Sequence, residues 1–151
     1  MFRGINPLSL DSKGRLSVPA KHRESLVETC AGRLVVTIDR DHCLLLYPLM
    51  AWEEVEQRLI QLSSTNRRAR GLKRLLLGHA EECQMDSHGR ILLSAPLREF
   101  AHLDKHVVLV GQGNKFELWD EQTWRRLREE WLVEQEAEDG VPTADFEQLS
   151  F

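Results

Sequence analysis

The chain has 151 residues, of which 42% are hydrophobic and 29% are charged, and its formal net charge is −4. No apolar run approaches the roughly 18 residues that a bilayer-spanning helix needs, and the N-terminus lacks the pattern of a signal peptide. These properties argue against a membrane protein and predict a globular protein that stays in the cytosol.

The first predicted element is a β-hairpin. Apolar and polar residues alternate over 8–10 and again over 16–18, and Asp11-Ser-Lys-Gly14 separates the two segments. Such alternation is typical of half-buried strands, and Gly14 supplies the positive φ that a tight turn requires. Asp11 is typical of a turn residue that accepts a bond from the backbone two residues on. We expect 8–10 to pair with 16–18.

The later elements follow from the same signals. A short helix over 20–27 comes first, followed by a strand pair over 34–38 and 43–47. Two helices come next: one after Pro48 with Trp52, Val55, Leu59 and Leu62 on one face, and one that Asn66 caps and that carries Leu72, Leu75 and Leu76. A second strand pair over 107–110 and 115–119 precedes a long helix that Asp120 caps and that carries Trp124, Leu127 and Trp131. Beyond about Ala137 the sequence is acidic and aperiodic, which predicts a partly ordered tail.

An internal repeat organises the chain. Asp-Ser-x-Gly-Arg occurs at 11–15 and at 86–90, and seven of fourteen positions are identical between 11–24 and 86–99. Further on, at an offset of 72, Leu46 aligns with Leu118. Each half is too small to bury a sufficient core alone. The repeat therefore predicts an α+β fold, mainly β, in which two halves form one pseudo-twofold β-barrel with helices on the outside.

The predicted divisions are a first repeat over 5–52, a helical connector over 53–80, a second repeat over 81–124, and a C-terminal helix with an acidic tail over 125–151. Charge follows these divisions, because residues 117–151 have a balance of −8 whereas residues 1–116 have a balance of +4. A polyanion responds to the local potential, since the Debye length is about 8 Å at physiological salt. The basic N-terminal part is thus compatible with nucleic-acid binding.

The first turn is the candidate DNA-binding site. Lys13 and Arg15 flank Gly14, so two cations project from a narrow turn that can enter a DNA groove. The arginine fork matches the O6 and N7 edge of guanine. Three further cations are predicted to contact phosphates: Arg3, Lys21 and Arg23. The alternative is that Arg15 only pairs with Asp11 across the hairpin.

The second turn is predicted to be mainly structural. His88 occupies the position of Lys13, and an imidazole is a weaker cation than an ammonium group. Asp86 and Gly89 are predicted to shape this turn as Asp11 and Gly14 shape the first. Arg90 either has a structural role, which we favour, or makes a weaker contact with DNA.

A basic segment follows at 67–74, with five cations in eight residues. Three interpretations remain open: a solvated helix face, a phosphate-binding patch, or a surface that pairs with the acidic segment 129–139 of another subunit. Such a segment is most often a solvated face, and of the two binding roles we favour subunit pairing over DNA contact.

No catalytic constellation is evident, so the chain is not expected to be an enzyme, to use a cofactor or to act on a small-molecule substrate. His79 and Cys83 could present two metal ligands on one helical face, but no further ligand completes a set, and no metal site is predicted.

Several longer motifs resemble the MraZ family of bacterial transcriptional regulators. They are Met1-Phe-Arg-Gly4, Asp11-Ser-Lys-Gly-Arg-Leu-Ser-Val-Pro19, Leu44-Leu-Leu-Tyr-Pro48, Leu75-Leu-Leu-Gly-His-Ala80, Cys83-Gln-Met-Asp86 and Gly111-Gln-Gly-Asn-Lys-Phe-Glu-Leu-Trp119. The resemblance implies two repeats of the SpoVT-AbrB type that build a swapped-hairpin, double-split β-barrel. It places the D-x-x-x-R motif of the family at Asp11 to Arg15 and at Asp86 to Arg90.

The resemblance also implies a function. It predicts a sequence-specific regulator, a repressor, that binds double-stranded DNA at short promoter repeats of the division and cell-wall gene cluster. It further implies a homo-oligomer, in the form of a ring, that associates with the nucleoid in the cytoplasm. The alternative function is a protein-interaction or antitoxin-like module that uses the same barrel to bind a protein partner.

Overall fold

Thirteen elements follow one another along residues 1–137, which are the residues that the computed structural model describes. The strands are β1 (Ile5–Ser9), β2 (Arg15–Ser17), β3 (Arg33–Ile38), β4 (Leu44–Pro48), β5 (Glu81–Gln84), β6 (Arg90–Leu92), β7 (His106–Gly111) and β8 (Phe116–Asp120). The helices are α1 (Ala20–Cys30), α2 (Leu49–Ile60), α3 (Arg67–Leu76), α4 (Ala95–Phe100) and α5 (Glu121–Glu136). The predicted α+β class is confirmed, although the helices span more residues than the strands. The predicted tail beyond 137 lies outside the described residues.

The strands form two sheets. One is six-stranded, with the order β1-β7-β8-β4-β3-β5, and the other is the antiparallel pair of β2 and β6. The predicted strand pairs at 34–38 with 43–47 and at 107–110 with 115–119 are confirmed as β3–β4 and β7–β8.

The predicted pairing within the first hairpin is wrong. β1 pairs with β7 and β2 pairs with β6, so the two arms of the turn at 11–14 belong to different sheets. The second repeat does the same, because β5 pairs with β3 of the first. Each arm thereby finds its partner in the other repeat. The physical reason is that neither half has enough apolar surface to bury a core by itself.

The strand registers reveal a twofold relation between the repeats. In the two-stranded sheet, Leu16 lies opposite Ile91, its equivalent at the offset of 75. In the six-stranded sheet, Leu45 lies opposite Glu117, its equivalent at the offset of 72. A pseudo-twofold axis therefore passes through both pairs. Within residues 1–137 the two sheets do not join by hydrogen bonds into a closed barrel, and the double-split barrel stays a prediction.

One hydrophobic core joins the two sheets to helices α1 and α4. Its side chains come from both repeats in comparable number, and the largest contributions are Leu16, Leu26, Leu34, Leu44, Leu46, Ile91, Leu93, Leu97, Leu109, Phe116 and Leu118. Of the four tryptophans, three are buried, as expected for core residues: Trp52, Trp119 and Trp124. The core thus fixes both turns against one framework.

The chain forms two compact units. The first, Met1–Glu121, contains both sheets, and the second begins at Gln122 with the remainder of α5. Within the second unit, the rings of Trp124 and Trp131 meet edge to face with their centroids 5.5 Å apart. None of the helices in residues 1–137 has the length and apolar character that crossing a membrane requires. The predicted domain limits stay predictions.

Candidate nucleic-acid interface

The first turn is organised around the Asp11 carboxylate. Its Oδ1 accepts bonds from the backbone N–H groups of Lys13 and Arg15, both at 2.9 Å, and its Oδ2 accepts from Arg15 Nε at 2.6 Å. The Gly14 N–H closes the turn on the Asp11 carbonyl at 3.0 Å, with φ of +84° at the glycine. The Asp11–Arg15 ion pair, which was the alternative to DNA contact, is therefore present.

The second turn repeats this network. Asp86 Oδ1 accepts from the backbone N–H groups of His88 and Arg90 at 2.9 Å, and Asp86 Oδ2 accepts from Arg90 Nε at 2.9 Å. Gly89 has a φ of +76°. The predicted turn roles of Asp86 and Gly89 fit these bonds, and the substitution of His88 for Lys13 leaves the backbone network unchanged.

These bonds keep both carboxylates ionised. The Arg15 backbone N–H, the Arg15 side chain and the Lys13 backbone N–H lower the pKa of Asp11 to about 2. The Arg90 backbone N–H, the Arg90 side chain and the His88 backbone N–H likewise lower the pKa of Asp86. Each arginine is thus tethered through Nε, whereas a guanidinium has five N–H groups. Within residues 1–137, the Arg15 and Arg90 side chains have no other hydrogen-bond acceptor.

Each turn is braced by the other repeat. The Gly14 carbonyl accepts from the Leu93 N–H at 3.0 Å, and the Gly89 carbonyl accepts from the Val18 N–H at 2.8 Å. Each turn glycine is also covered by an arginine from the other repeat. Arg98 donates to the Leu93 carbonyl and lies over Gly14, while Arg23 donates to the Val18 carbonyl and lies over Gly89. The turns and their covering arginines therefore form one rigid unit.

The outer face of the β2–β6 sheet presents Arg15 and Arg90 together. Leu16 and Ile91 are buried, so the alternating residues point outward, namely Arg15, Ser17, Arg90 and Leu92. From strand geometry, the Cα atoms of the two arginines are about 8 Å apart. The two turns and the side chains that cover their glycines contain five cations and two carboxylates: Lys13, Arg15, Arg23, Arg90, Arg98, Asp11 and Asp86.

The structure separates the other predicted phosphate contacts from the first turn. Arg23 covers Gly89 of the second turn. Lys21 lies with its Nζ beside Gly4, next to Arg3, at the end of β1 that is remote from the first turn. Sequence reasoning missed Arg98, although it is the repeat equivalent of Arg23 and one of the seven shared residues.

The potential metal ligands that lie close together are not the predicted pair. His79 lies in a turn and Cys83 on β5, so the predicted shared helical face does not exist. One group of three within residues 1–137 has its ligand atoms within 4.8 Å of one another: Asp39, Cys43 and Glu117. Burial raises the pKa of the Cys43 thiol, and the Glu117 carboxylate accepts from Trp119 Nε1 at 3.3 Å. Because a metal requires the thiolate, we assign no metal to this cluster.

The fold and the site together define a class. The chain is a duplicated α+β protein that presents two arginine-bearing turns beside an exposed two-stranded ribbon, a surface with which β-ribbon proteins read nucleic acid. Similarity to known sequences identifies the family within this class. The profile of the family described as "MraZ protein, putative antitoxin-like" matches twice, over residues 1–75 and over 76–141.

Curated relatives agree with this match, and each is named transcriptional regulator MraZ. The protein from Thioalkalivibrio sulfidiphilus is 57% identical over 150 residues, which are 99% of both chains. That from Halorhodospira halophila is 54% identical over 151 residues, again 99% of both. A relative from Escherichia coli is 59% identical over 137 residues, covering 89% of this chain and 90% of its own. The chain belongs to the MraZ family, as the motifs predicted.

Proposed function

We propose that the chain is a sequence-specific DNA-binding transcriptional regulator without enzymatic activity. The observation that carries the proposal is the pair of tethered arginines, Arg15 and Arg90, on one outward face of the β2–β6 ribbon. The relatives' name as transcriptional regulators supports the regulatory role. Repression at short promoter repeats of the division and cell-wall gene cluster is the target that the family resemblance implies.

The ribbon suits the major groove of B-DNA. That groove is about 12 Å wide and admits a two-stranded β-ribbon. An arginine whose Nε is held by a carboxylate has fewer rotamers to lose, so its terminal amino groups can bind the O6 and N7 edge of guanine at a lower entropic cost. In this proposal Asp11 and Asp86 position the readers, and the glycine turns keep bulk away from the tips.

Other cations hold the ribbon on the duplex. Lys13 is exposed at the tip of the first turn, where an ammonium group reaches a phosphate. Arg3 and Lys21 form a separate cationic pair and contact the backbone at a greater distance. Arg23 braces the second turn and adds charge to the face.

Several copies act together in the proposed mechanism. A good bidentate contact discriminates between bases by about 1–3 kcal/mol, so one ribbon selects only a few base pairs weakly. A ring of copies, each facing one repeat, would raise the affinity through effective concentration. Occupied repeats that overlap the polymerase site would repress transcription, and such an assembly would be found with the nucleoid.

The test compares cognate and random DNA. A cognate sequence is first selected from a random pool with the purified full-length protein, and affinities are then measured by fluorescence anisotropy. Arg15→Ala should lower the affinity for the selected sequence about 5- to 150-fold, the equivalent of about 1–3 kcal/mol, and that for random DNA only slightly. Arg90→Ala tests the second turn, and Arg58→Ala on α2 is the matched control. Equal losses on both DNAs would reduce Arg15 to a phosphate contact.

The family description favours one other function, an antitoxin-like module that binds a protein partner. Salt dependence separates the two. Contacts with several phosphates make log K fall linearly with log salt concentration, with a slope near −0.9 per phosphate neutralised. A slope near zero, with no sequence selected from the pool, would favour the protein-binding module.

A further inference from the structure

Two charges at the start of helix α3 oppose its stability. The helix has five basic residues and no acidic one, and two of its arginines, Arg67 and Arg68, occupy the first turn, where the positive end of the helix dipole disfavours cations. The Asn66 side chain caps the helix by accepting from the Ala69 N–H at 3.1 Å. Arg70 and Lys73 bond to loop carbonyls, and three other arginines of the helix are exposed: Arg67, Arg68 and Arg74.

A groove with apolar walls adjoins these arginines. Leu72 and Leu75 are 40% and 48% exposed, and with Tyr47 and Phe100 they line a groove of about 480 Å³. Two cations and one carboxylate are also among its lining residues: Arg40, Lys115 and Asp39. Exposed apolar side chains among charged residues mark an interaction site. The excess of positive charge calls for an acidic partner.

The last two turns of α5 have the complementary character. Leu132 and Val133 are 52% and 66% exposed. With Glu129 and Glu136 they fall at i, i+3, i+4 and i+7, which places all four on one stripe of the helix. The last turn has no basic residue, so its glutamates oppose the helix dipole, as Arg67 and Arg68 do in the first turn of α3.

We propose that the α3 groove of one copy binds the Glu129–Glu136 stripe of α5 from a second copy of this chain. Leu132 and Val133 enter the groove beside Leu72 and Leu75, and the glutamates meet the exposed arginines, in the manner of an amphipathic helix in a groove. The inference rests on the self-association in the proposed function and names the surface that produces it.

Exposure and charge both favour a second copy as the occupant. In the single chain all four apolar side chains are 40–66% exposed, so each is available for burial by another molecule. The groove and the stripe are different surfaces, which makes the contact heterologous. Every copy then offers one groove and one stripe, and a closed ring satisfies all of them.

The test is a complementation of two defective variants. Leu75→Asp places a charge in the groove, and Leu132→Asp places one on the stripe. The mass of each full-length variant is then measured by sedimentation. We expect wild type to be a closed oligomer and each variant alone to be a monomer. An equimolar mixture should form a one-to-one dimer, because it contains one intact groove and one intact stripe. Val27→Asp, at a 56% exposed position on α1, is the control that should keep the wild-type mass.

Each other outcome overturns the proposal. Variants that keep the wild-type mass would show that another surface drives association, and a mixture that stays monomeric would show that groove and stripe do not meet. Circular dichroism verifies the fold of each variant. Anisotropy with DNA carrying a single selected site separates this proposal from DNA binding, since the monomeric variants should retain the wild-type affinity for one site. Loss of that affinity with unchanged mass would instead count against the proposed DNA face.

Discussion

Gly14 and Gly89 are the residues on which both turns depend. Their φ angles of +84° and +76° lie in the left-handed region, which disfavours residues with a Cβ. At Gly14 a Cβ would also lie 2.6 Å from Arg98 Nε. Glycine is therefore required at these positions for two reasons: the backbone has a positive φ, and the covering arginine occupies the space of a Cβ.

Replacing Gly14 tests this double constraint. We expect Gly14→Ala to lower the free energy of unfolding by about 1–3 kcal/mol, because the left-handed backbone is strained and Arg98 has to move. Gly71→Ala is the control, since Gly71 lies within α3 with no atom within 4 Å of the added Cβ. It should instead raise stability by about 0.5–1 kcal/mol. Urea unfolding measures the free energy of unfolding of both variants. Similar changes in the two variants would contradict the requirement for glycine at position 14.

At the scale of the element, each turn is a carboxylate wrapped by N–H donors. Three donors converge on Asp11 and three on Asp86, and the networks match bond for bond. Such a network favours the charged carboxylate in the folded state, which is why the pKa of Asp11 falls to about 2. The turn is therefore expected to respond to acid.

The acid response has a defined direction. The pKa of Asp11 is lower in the folded protein than its ordinary value near 3.9, so its stabilising contribution is complete above about pH 4 and disappears as the pH falls toward 2. Asp11→Asn should therefore be less stable than wild type at pH 7, and the difference should shrink between pH 4 and 2. Urea unfolding over this range measures it. A difference that is independent of pH would mean that the charge of Asp11 does not stabilise the turn.

The sequence predicted the elements better than their partners. Apolar runs on either side of turn residues located β3, β4, β7 and β8, which pair with their neighbours in the chain. Alternation around the glycine turn predicted strands at 8–10 and 16–18, which overlap β1 and β2, but paired them wrongly, because burial across the repeats, rather than proximity in sequence, selects their partners. Within the candidate site, the turn residues were identified from the motif. Arg98 was missed because its contact with Gly14 depends on the exchange of strands.

At the scale of the whole molecule, the two repeats cannot be separated without opening the core. β1 and β2 have their partners in the second repeat, and β5 has its partner in the first. The core draws side chains from both halves. Neither half should therefore be a folded monomer by itself.

Dividing the chain tests this interdependence. A break between Leu77 and Gly78, in a turn after α3, gives the fragments 1–77 and 78–151. Separately, we expect neither to show the dispersed amide spectrum of a folded monomer, whereas the mixture should recover a one-to-one complex with the spectrum of the intact chain. Full-length protein cleaved at this point after folding is the control and should stay associated. A fragment 1–77 that folds as a monomer would refute this view.

The axis through Leu16 and Ile91 relates two halves that share one polypeptide. In a dimer of separate chains, the folded fraction falls on dilution, because the loss of translational freedom opposes association. Here the halves are covalently tethered, and the framework that carries both arginines forms at any dilution. A molecule present in only a few copies per cell can thus keep the proposed DNA-binding face intact. Tethering also frees the two turns to diverge independently, as Lys13 and His88 already have.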